Sequence, residues 1–341
     1  MFHRYFQTSP RRKGLEHIKG KQDLSQLPAM LGSLLTQVQL DLNQSFAQSR
    51  VPMAEIGRPL VVHLDFLEST TENAHAFQDE AYHFIGITVP LVERLLKVSE
   101  ALVAADKVMT LLRLTGGLEQ RENAAGGVFS IKLLFAAAHE FGHHLLGHAS
   151  EFRPEQWNDV DGAGMGGSLE QQAEENLADG FAVFHLLGSL LDGPYGQQVL
   201  KMLGRAATPH RGADTILMSA LLLCAFSFFS AKSHEALDAV SLYSLSHPPA
   251  LARVNGIFQT SRVWCQRYRP SLDAWMTWDR LEEIMHAEES SRPGSEGAWE
   301  RQIEFFGSPG GAQYFERLGE QISRMPLPAV PPPEKGADAF C

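Results

Sequence analysis

The stretch HEFGHHLLGH, residues 139–148, holds four histidines and one glutamate within ten positions. Three alanines directly before it favour a helix. On a helix, His139 and His143 are four residues apart, so their imidazoles lie on one face and can bind one metal ion. Glu140 is rotated by about 100° and lies beside that ion. This H-E-x-x-H arrangement predicts two zinc ligands and a glutamate that takes a proton from bound water.

The other two histidines of this stretch do not share that face. His144 and His148 are rotated from His139 by about 140° and about 180°. A three-histidine zinc site needs glycine and histidine seven and ten residues after the first histidine, where this chain has Leu146 and Ala149. We therefore expect His144 and His148 to be surface or loop histidines.

A third ligand is expected from the next helical segment, LEQQAEENLADGFAVFHLL. Glu175 and Asp179 are four residues apart on one face of it. Glu175 would complete a His₂Glu catalytic zinc site and leave one position for water. Asp179 would accept a hydrogen bond from a ligating histidine and so fix its orientation. Glu170 and Glu174 are alternative ligands, and a solvated acidic face is the alternative interpretation.

A further candidate stretch is SHPPALARV, in which two prolines follow His247 and force the chain to turn. Arg253 comes six residues after His247, in the next predicted helix. A cation or hydrogen-bond donor near the zinc would stabilise the oxyanion that forms on an attacked carbonyl group. Either His247 or Tyr243 can supply such a hydrogen bond. A helix cap and a surface ion pair explain the same residues, and the sequence leaves both interpretations open.

The chain of 341 residues is long enough for one large domain or two modest ones. Its formal net charge of −11 argues against a nucleic-acid partner, and the basic stretch RRKGLEHIKGK is expected to be a solvated arm. The three cysteines are far apart and predict no disulfide framework. With no apolar signal segment in the first thirty residues, these features predict a cytoplasmic protein.

The pattern along the chain predicts an α+β, mostly helical fold with a small N-terminal β-sheet. Strands are expected at 60–68 and 83–89, a helix from Pro90, and a Gly-rich loop over 115–127. The helices expected after this loop span residues 128–148, 169–191, 195–205, 214–231, 232–245 and 249–260, with further helices within 269–291 and 296–306.

One apolar stretch, TILMSALLLCAFSFFSA, carries no charge over residues 215–231. A helix that spans a membrane needs about 20 apolar residues, so this stretch is short. Thr215, Ser219, Ser227 and Ser230 give it a narrow, weakly polar stripe. We expect a buried core helix here, with a membrane span as the alternative.

The motifs together resemble those of gluzincin metallopeptidases of the HtpX and CAAX-prenyl-protease type. The closest resemblance is to the Lit family of bacterial phage-exclusion peptidases. It is carried by HEFGHHLLGH, ENLAD, TILMSALLLCAFSFF and SHPPALARV, and it covers roughly residues 60–260. The chain departs from the family pattern at Ala252, where the family tends to have glutamate.

The resemblance implies a zincin-like fold in which an active-site helix carries H-E-x-x-H. It implies zinc ligands His139, His143 and Glu175, Glu140 as the general base, and substrate-side roles for His247 and Arg253. The domains expected on this basis are a basic arm and helix (1–45), a catalytic domain (46–265), a helical C-terminal extension (266–325) and a Pro-rich disordered tail (326–341).

The function expected from these features is a zinc-dependent endopeptidase acting on a protein or peptide substrate. By analogy with zincins, the strand HFIGITV is expected beside the cleft, where an exposed edge would bind extended substrate. Two alternatives remain at this point. One is a membrane-associated protease of the HtpX or CAAX type, and the other is a non-catalytic zinc-binding sensor or interaction protein.

Overall fold

The structure is a computed structural model that describes residues 18–48, 61–79, 82–148, 167–205, 212–230, 238 and 241–325. The strands in these ranges are β1 (Ile18–Lys21), β2 (Val62–Ser69), β3 (Ala74–Asp79) and β4 (Tyr82–Thr88). The α-helices are α1 (Ala29–Gln48), α2 (Val89–Ala104), α3 (Asp106–Leu111), α4 (Leu118–Leu145), α5 (Leu169–Leu191), α6 (Pro194–Met202), α7 (Ala213–Phe229), α8 (Ala250–Tyr268), α9 (Pro270–Asp273), α10 (Trp278–Glu289), α11 (Ala298–Gly307) and α12 (Pro309–Arg324). The fold is therefore α+β and mostly helical, as predicted.

The four strands form one mixed sheet in the order β1-β2-β4-β3. β2 and β4 are parallel, whereas β1–β2 and β3–β4 are antiparallel. The sequence predicts the two central strands, which are rich in branched and aromatic residues, and misses both outer ones. β1 lies in the segment expected to be a basic arm and helix, and β3 (AHAFQD) has a weak strand pattern. Pairing with β4 over its whole length gives β3 its structure.

The position of β4 corrects one expectation. The strand HFIGITV lies between β2 and β3, so both of its edges are paired and neither is exposed. The outer strand on this side of the described sheet is β3, and it packs against helix α4, which carries H-E-x-x-H. An edge beside the motif therefore exists, but it belongs to a strand that the sequence does not reveal.

The Gly-rich loop predicted over 115–127 is also wrong. Helix α4 begins at Leu118 and continues through Gly126 and Gly127 to Leu145. A Cβ atom on Gly127 would lie 3.4 Å from Cβ of Met202, an ordinary van der Waals distance, so an alanine would fit there whereas a larger side chain would meet α6. Glycine in a helix costs about 1 kcal/mol per residue, and the long buried face of α4 outweighs that cost.

The apolar stretch forms helix α7, which packs against α4, α8 and α10. Its hydroxyl groups are satisfied within the helix, since Ser219 donates to Thr215 O at 2.8 Å and Ser227 donates to Cys224 O at 2.9 Å. Across the described ranges, no helix combines the length and apolar character that crossing a membrane requires.

The remaining helices follow the predictions closely, with α5 spanning the whole predicted range and α8 extending beyond it. Three expectations lie wholly or mostly outside the described residues: the arm before residue 18, most of the predicted helix 232–245, and the tail 326–341. In the C-terminal extension, α10 packs on α7, α11 on α8, and α12 on α5. These helices share one hydrophobic core with the rest of the chain.

The adjacent glycines Gly126 and Gly127 of α4 provide a test of its packing. Gly126→Ala places a Cβ where no atom lies within 4 Å, so we expect about 1 kcal/mol of added stability from helix propensity. Gly127→Leu forces a side chain against Met202 and should cost about 1–3 kcal/mol. Thermal or denaturant unfolding of both variants measures the difference. Equal effects at both positions would contradict the close packing of α6 on α4.

Candidate metal centre

Helices α4 and α5 approach closely because Gly142 has no side chain. A Cβ atom there would lie 3.1 Å from Cδ1 of Phe181 and 3.3 Å from Cα of Ala178. Gly142 is the residue before the second histidine of H-E-x-x-H. Its small size therefore lets the acidic face of α5 reach the histidine face of α4.

Three buried side chains from these two helices bring their ligand atoms together. Nε2 of His139 and Nε2 of His143 are 3.1 Å apart. Glu175 places Oε2 3.3 Å from Nε2 of His139 and Oε1 3.3 Å from Nε2 of His143. These residues lie close enough to bind one metal ion, as the sequence predicts.

The spacing fits zinc. Tetrahedral zinc holds nitrogen and oxygen ligands at about 2.0–2.1 Å, which places neighbouring ligand atoms about 3.3 Å apart. The three measured separations, 3.1, 3.3 and 3.3 Å, match that edge length. Three protein ligands of this kind leave a fourth tetrahedral position for water or substrate.

The contacts of His139 also call for a cation. Its Nδ1 lies 3.0 Å from Oδ1 of Asp179, although the ring N–H is not well aligned with that oxygen, and its Nε2 faces Glu175. A neutral imidazole has only one N–H. In the neutral ring, one nitrogen therefore turns its lone pair towards a carboxylate oxygen, and the two repel each other. A proton or a metal ion between the nitrogen and the oxygen relieves this repulsion.

The pKa values of the site follow from the same contacts. Burial opposes protonation of His139, but hydrogen bonds and charge attraction from Asp179 and Glu175 outweigh it and raise its pKa to about 10. Burial favours the neutral form of Glu175, yet the charge of His247, followed by His143 and His139, holds its pKa well below the usual range. Glu175 is thus an anion at neutral pH and can act as a ligand.

Asp179 is held from its other side by Arg253. Nε of Arg253 donates to Oδ2 and Nη2 donates to Oδ1, both at 2.7 Å, and the guanidinium lies 4.1 Å from the centre of the Phe229 ring. Nη2 is also 3.4 Å from Oε2 of Glu175. Arg253 is only 2% exposed. Its contacts therefore favour a role in fixing the carboxylates of Asp179 and Glu175, whereas the sequence predicts a contact with substrate.

Glu140 is buried beside this cluster without belonging to the three ligating residues. The backbone N–H of Ala76 in β3 hydrogen-bonds to its carboxylate, while Oε1 has no hydrogen-bond partner among the described residues. Burial raises the pKa of Glu140, against the opposing charges of His139 and His143. The residue therefore has an oxygen without a hydrogen bond to the described residues and an increased affinity for a proton, while its predicted role as a base stays a prediction.

His247 and Tyr243, the two expected hydrogen-bond donors, lie in different surroundings. His247 is buried, with Nε2 3.6 Å from Oε2 of Glu175 and Nδ1 2.9 Å from Oγ of Ser246. The ring of Tyr243 packs against that of Tyr314, with the ring centroids 5.8 Å apart. The guanidinium carbon of Arg317 lies 5.3 Å from the centre of the Tyr243 ring. His247 is therefore the candidate that reaches the ligands, and the contacts of Tyr243 are with α12.

The expectation that His144 is a surface histidine is wrong. It is 1% exposed because the sheet covers that face of α4. A ring nitrogen, Nε2, lies 2.9 Å from Phe84 O and Nδ1 lies 3.2 Å from Nδ1 of His83, which ties α4 to β4. Burial lowers the pKa of His144 to about 3, so it is neutral. His148, by contrast, lies beyond the end of α4 and is half-buried. Its Nδ1 is 3.4 Å from Nδ1 of His143.

Comparison of the chain with protein-family models, with curated proteins and with solved structures gives no match in any of the three.

Replacing the ligands should remove the metal. We expect His139→Ala, His143→Ala and Glu175→Ala each to lose most of the bound zinc, because two ligands hold it far less tightly than three. His144→Ala should keep zinc but lose stability, since its imidazole fills a buried contact. Glu170→Gln changes an exposed acid on α5, the helix of Glu175, and is the matched control. It should change neither the zinc content nor the stability. Elemental analysis of the purified variants gives the zinc content, and full zinc in Glu175→Ala would contradict the assigned ligand set.

Asp179 should contribute to both stability and metal affinity. Asp179→Asn leaves Arg253 buried without its counter-charge, which should cost about 3–5 kcal/mol of the free energy of unfolding. Loss of the carboxylate that orients His139 should weaken metal binding by about 10–100-fold. Denaturant unfolding and competition with a chelator measure the two effects.

A double variant separates the effect of Asp179 on stability from its effect on metal affinity. Asp179→Leu with Arg253→Met removes both charges, so stability should recover while metal binding stays weak. If metal affinity recovered together with stability, Asp179 would act only through folding.

Proposed function

We propose that the protein is a zinc-dependent endopeptidase. The observation that carries this proposal is Glu140, a buried carboxylate with one oxygen free of hydrogen bonds, beside three metal-binding side chains of which it is not one. A metal site that serves only folding has no use for such a group. A hydrolytic site needs it, because a general base must stand next to the water that attacks.

When bound, zinc lowers the pKa of its water and polarises the carbonyl group of a substrate. Glu140 takes a proton from the water as it attacks the peptide carbonyl and then delivers that proton to the departing amine. The raised pKa of Glu140 supports the first step, since a buried carboxylate takes up a proton more readily than one in water. The N–H of Ala76 keeps the second oxygen in place.

His247 is the proposed hydrogen-bond donor to the oxyanion that develops on the substrate carbonyl. If the Ser246 hydroxyl donates to Nδ1, the ring proton stays on Nε2, the nitrogen 3.6 Å from Glu175. A donor at that place stabilises negative charge only as it forms, which lowers the barrier of the chemical step.

The substrate is proposed to bind as an extended strand along β3. In an antiparallel pair, the backbone groups of alternate residues point to the same side. The Ala76 N–H points away from β4 to Glu140, so the edge of β3 that pairs with no other described strand lies beside the base. Addition of a peptide strand there would bring its carbonyl groups towards the metal centre.

The order of the motifs supports a peptidase of the gluzincin type, similar to the Lit family. The association of that family with phage exclusion is part of the same proposal and rests on the resemblance alone. The site supports hydrolysis of peptide bonds in general. Its polar groups are placed to act on the carbonyl group, the water and the amine, and none of them is assigned to a side chain of the substrate.

Glu140→Gln tests the proposal. The variant should keep its fold and its zinc, because an amide has the same shape and Glu140 is not a ligand. Turnover should fall by about 10²–10⁴-fold, the usual contribution of a general acid–base group. The measurement compares proteome-wide cleavage products in cells that express wild type or variant.

Glu170→Gln is the control, since it removes a carboxylate from α5 without touching the cluster. It should give the wild-type set of cleavage products. Products that persist in Glu140→Gln at the wild-type level would refute the role of Glu140. A zinc-loaded wild type that yields no products of its own would instead favour the non-catalytic zinc-binding protein.

A further inference from the structure

The loop that carries His247 is anchored by one buried amide. Gln172 lies on α5, one turn before Glu175, and is fully buried. Its Nε2 donates to Leu242 O at 2.7 Å and to Leu245 O at 2.8 Å. Both N–H groups of the amide are therefore used to hold the backbone of the loop that leads into His247.

The same amide is held from behind by the C-terminal helix α12. The hydroxyl of Tyr314 donates to Oε1 of Gln172 at 2.6 Å, and Tyr314 is fully buried as well. Hydrogen bonds in such a chain polarise and strengthen one another where water is excluded. Tyr314 thus helps to fix the direction in which the amide points its two N–H groups.

The backbone before α5 closes on the same loop. The N–H of Gly167 donates to Ser244 O at 2.9 Å. A Cβ atom on Gly167 would lie 2.2 Å from Leu245 O, so only glycine permits this approach. The loop is therefore held at Leu242, Ser244 and Leu245, directly before Ser246 and His247.

The chain after His247 is anchored by the C-terminal extension too. Oε1 of Gln302 in α11 accepts a hydrogen bond from the backbone N–H of Leu251 at 2.9 Å, in the first turn of α8. His247 thus sits between two anchored backbone segments, and helices of the C-terminal extension take part in both anchors.

We propose that Tyr314 and Gln172 are positioning residues that hold the His247 loop against the metal centre, so that the C-terminal extension contributes to the oxyanion donor without contacting substrate. The proposal rests on the proposed function, because it takes His247 as that donor. Gln172, which orients the loop, and the candidate ligand Glu175 lie on consecutive turns of the same helix, α5. A shift of the loop therefore changes the distance between His247 and Glu175.

The experiment uses Tyr314→Phe, which removes only the hydroxyl group. Tyr268→Phe is the matched control, because the Tyr268 hydroxyl is buried with no hydrogen-bond partner in the structure. The first readout is hydrogen–deuterium exchange of the backbone amides of residues 241–247 in the metal-free full-length protein. We expect faster exchange in Tyr314→Phe and wild-type exchange in Tyr268→Phe. Unchanged exchange in Tyr314→Phe would overturn the proposal.

The second readout is a double-mutant cycle with inorganic phosphate as a tetrahedral oxyanion. Cobalt replaces zinc, so that the visible spectrum reports phosphate binding at the metal. His247→Ala should weaken phosphate binding by about tenfold and Tyr314→Phe by about threefold, the range for losing one hydrogen bond to an anion and for disturbing it. If Tyr314 acts through His247, the double variant should bind phosphate no more weakly than His247→Ala alone.

The outcomes are distinct. Independent, additive losses would show that Tyr314 does not act through His247, and no loss in either single variant would also overturn the proposal. A change in melting temperature alone, shared by Tyr268→Phe, would assign Tyr314 to packing. Neither readout needs peptide hydrolysis, so a failure of the proposed peptidase activity leaves the result on Tyr314 unaffected and is recognised separately by the Glu140→Gln comparison.

Discussion

The carboxylate of Asp179 is the group on which the rest of the centre depends. It lies between two cationic or potentially cationic groups, the imidazole of His139 at 3.0 Å and the guanidinium of Arg253 at 2.7 Å. None of the three groups is exposed to water, so each relies on the others to offset the cost of its burial. The orientation of His139 and the position of Arg253 on α8 both follow from this arrangement. A buried ion pair of this kind is in general disturbed more by the loss of one member than by the loss of both.

Close backbone contact makes that arrangement possible. Charged side chains of ordinary length meet between helices only when the helices approach, and Gly142 with Ala178 provides the approach at the level of the histidines. Gly142 therefore acts through packing, and the conformational freedom that makes glycine common in loops is not used there.

The parts of the site that the sequence predicts are those set by helix geometry. His139 and His143, or Glu175 and Asp179, are four residues apart, and a spacing of four fixes a shared face whatever the tertiary structure is. Features that depend on distant partners were not predictable. β3 becomes a strand by pairing with β4, and α4 continues through Gly126 and Gly127 because its buried face packs in the core. The hydrogen bond of Tyr314 to Gln172 spans 142 positions, and no local pattern marks either residue. His144 was misplaced because helix periodicity gives a direction and does not say that a sheet covers it.

The long-range bond to α12 also has a consequence for the order in which the chain is made. The three candidate ligands His139, His143 and Glu175, and also Arg253, precede residue 260, so a growing chain on the ribosome contains the candidate metal centre well before it contains Tyr314. The support for the His247 loop arrives only with the last described helix. A nascent chain can thus bring the residues of the candidate metal centre together on α4 and α5 before the His247 loop gains its hydrogen-bonded support from α12.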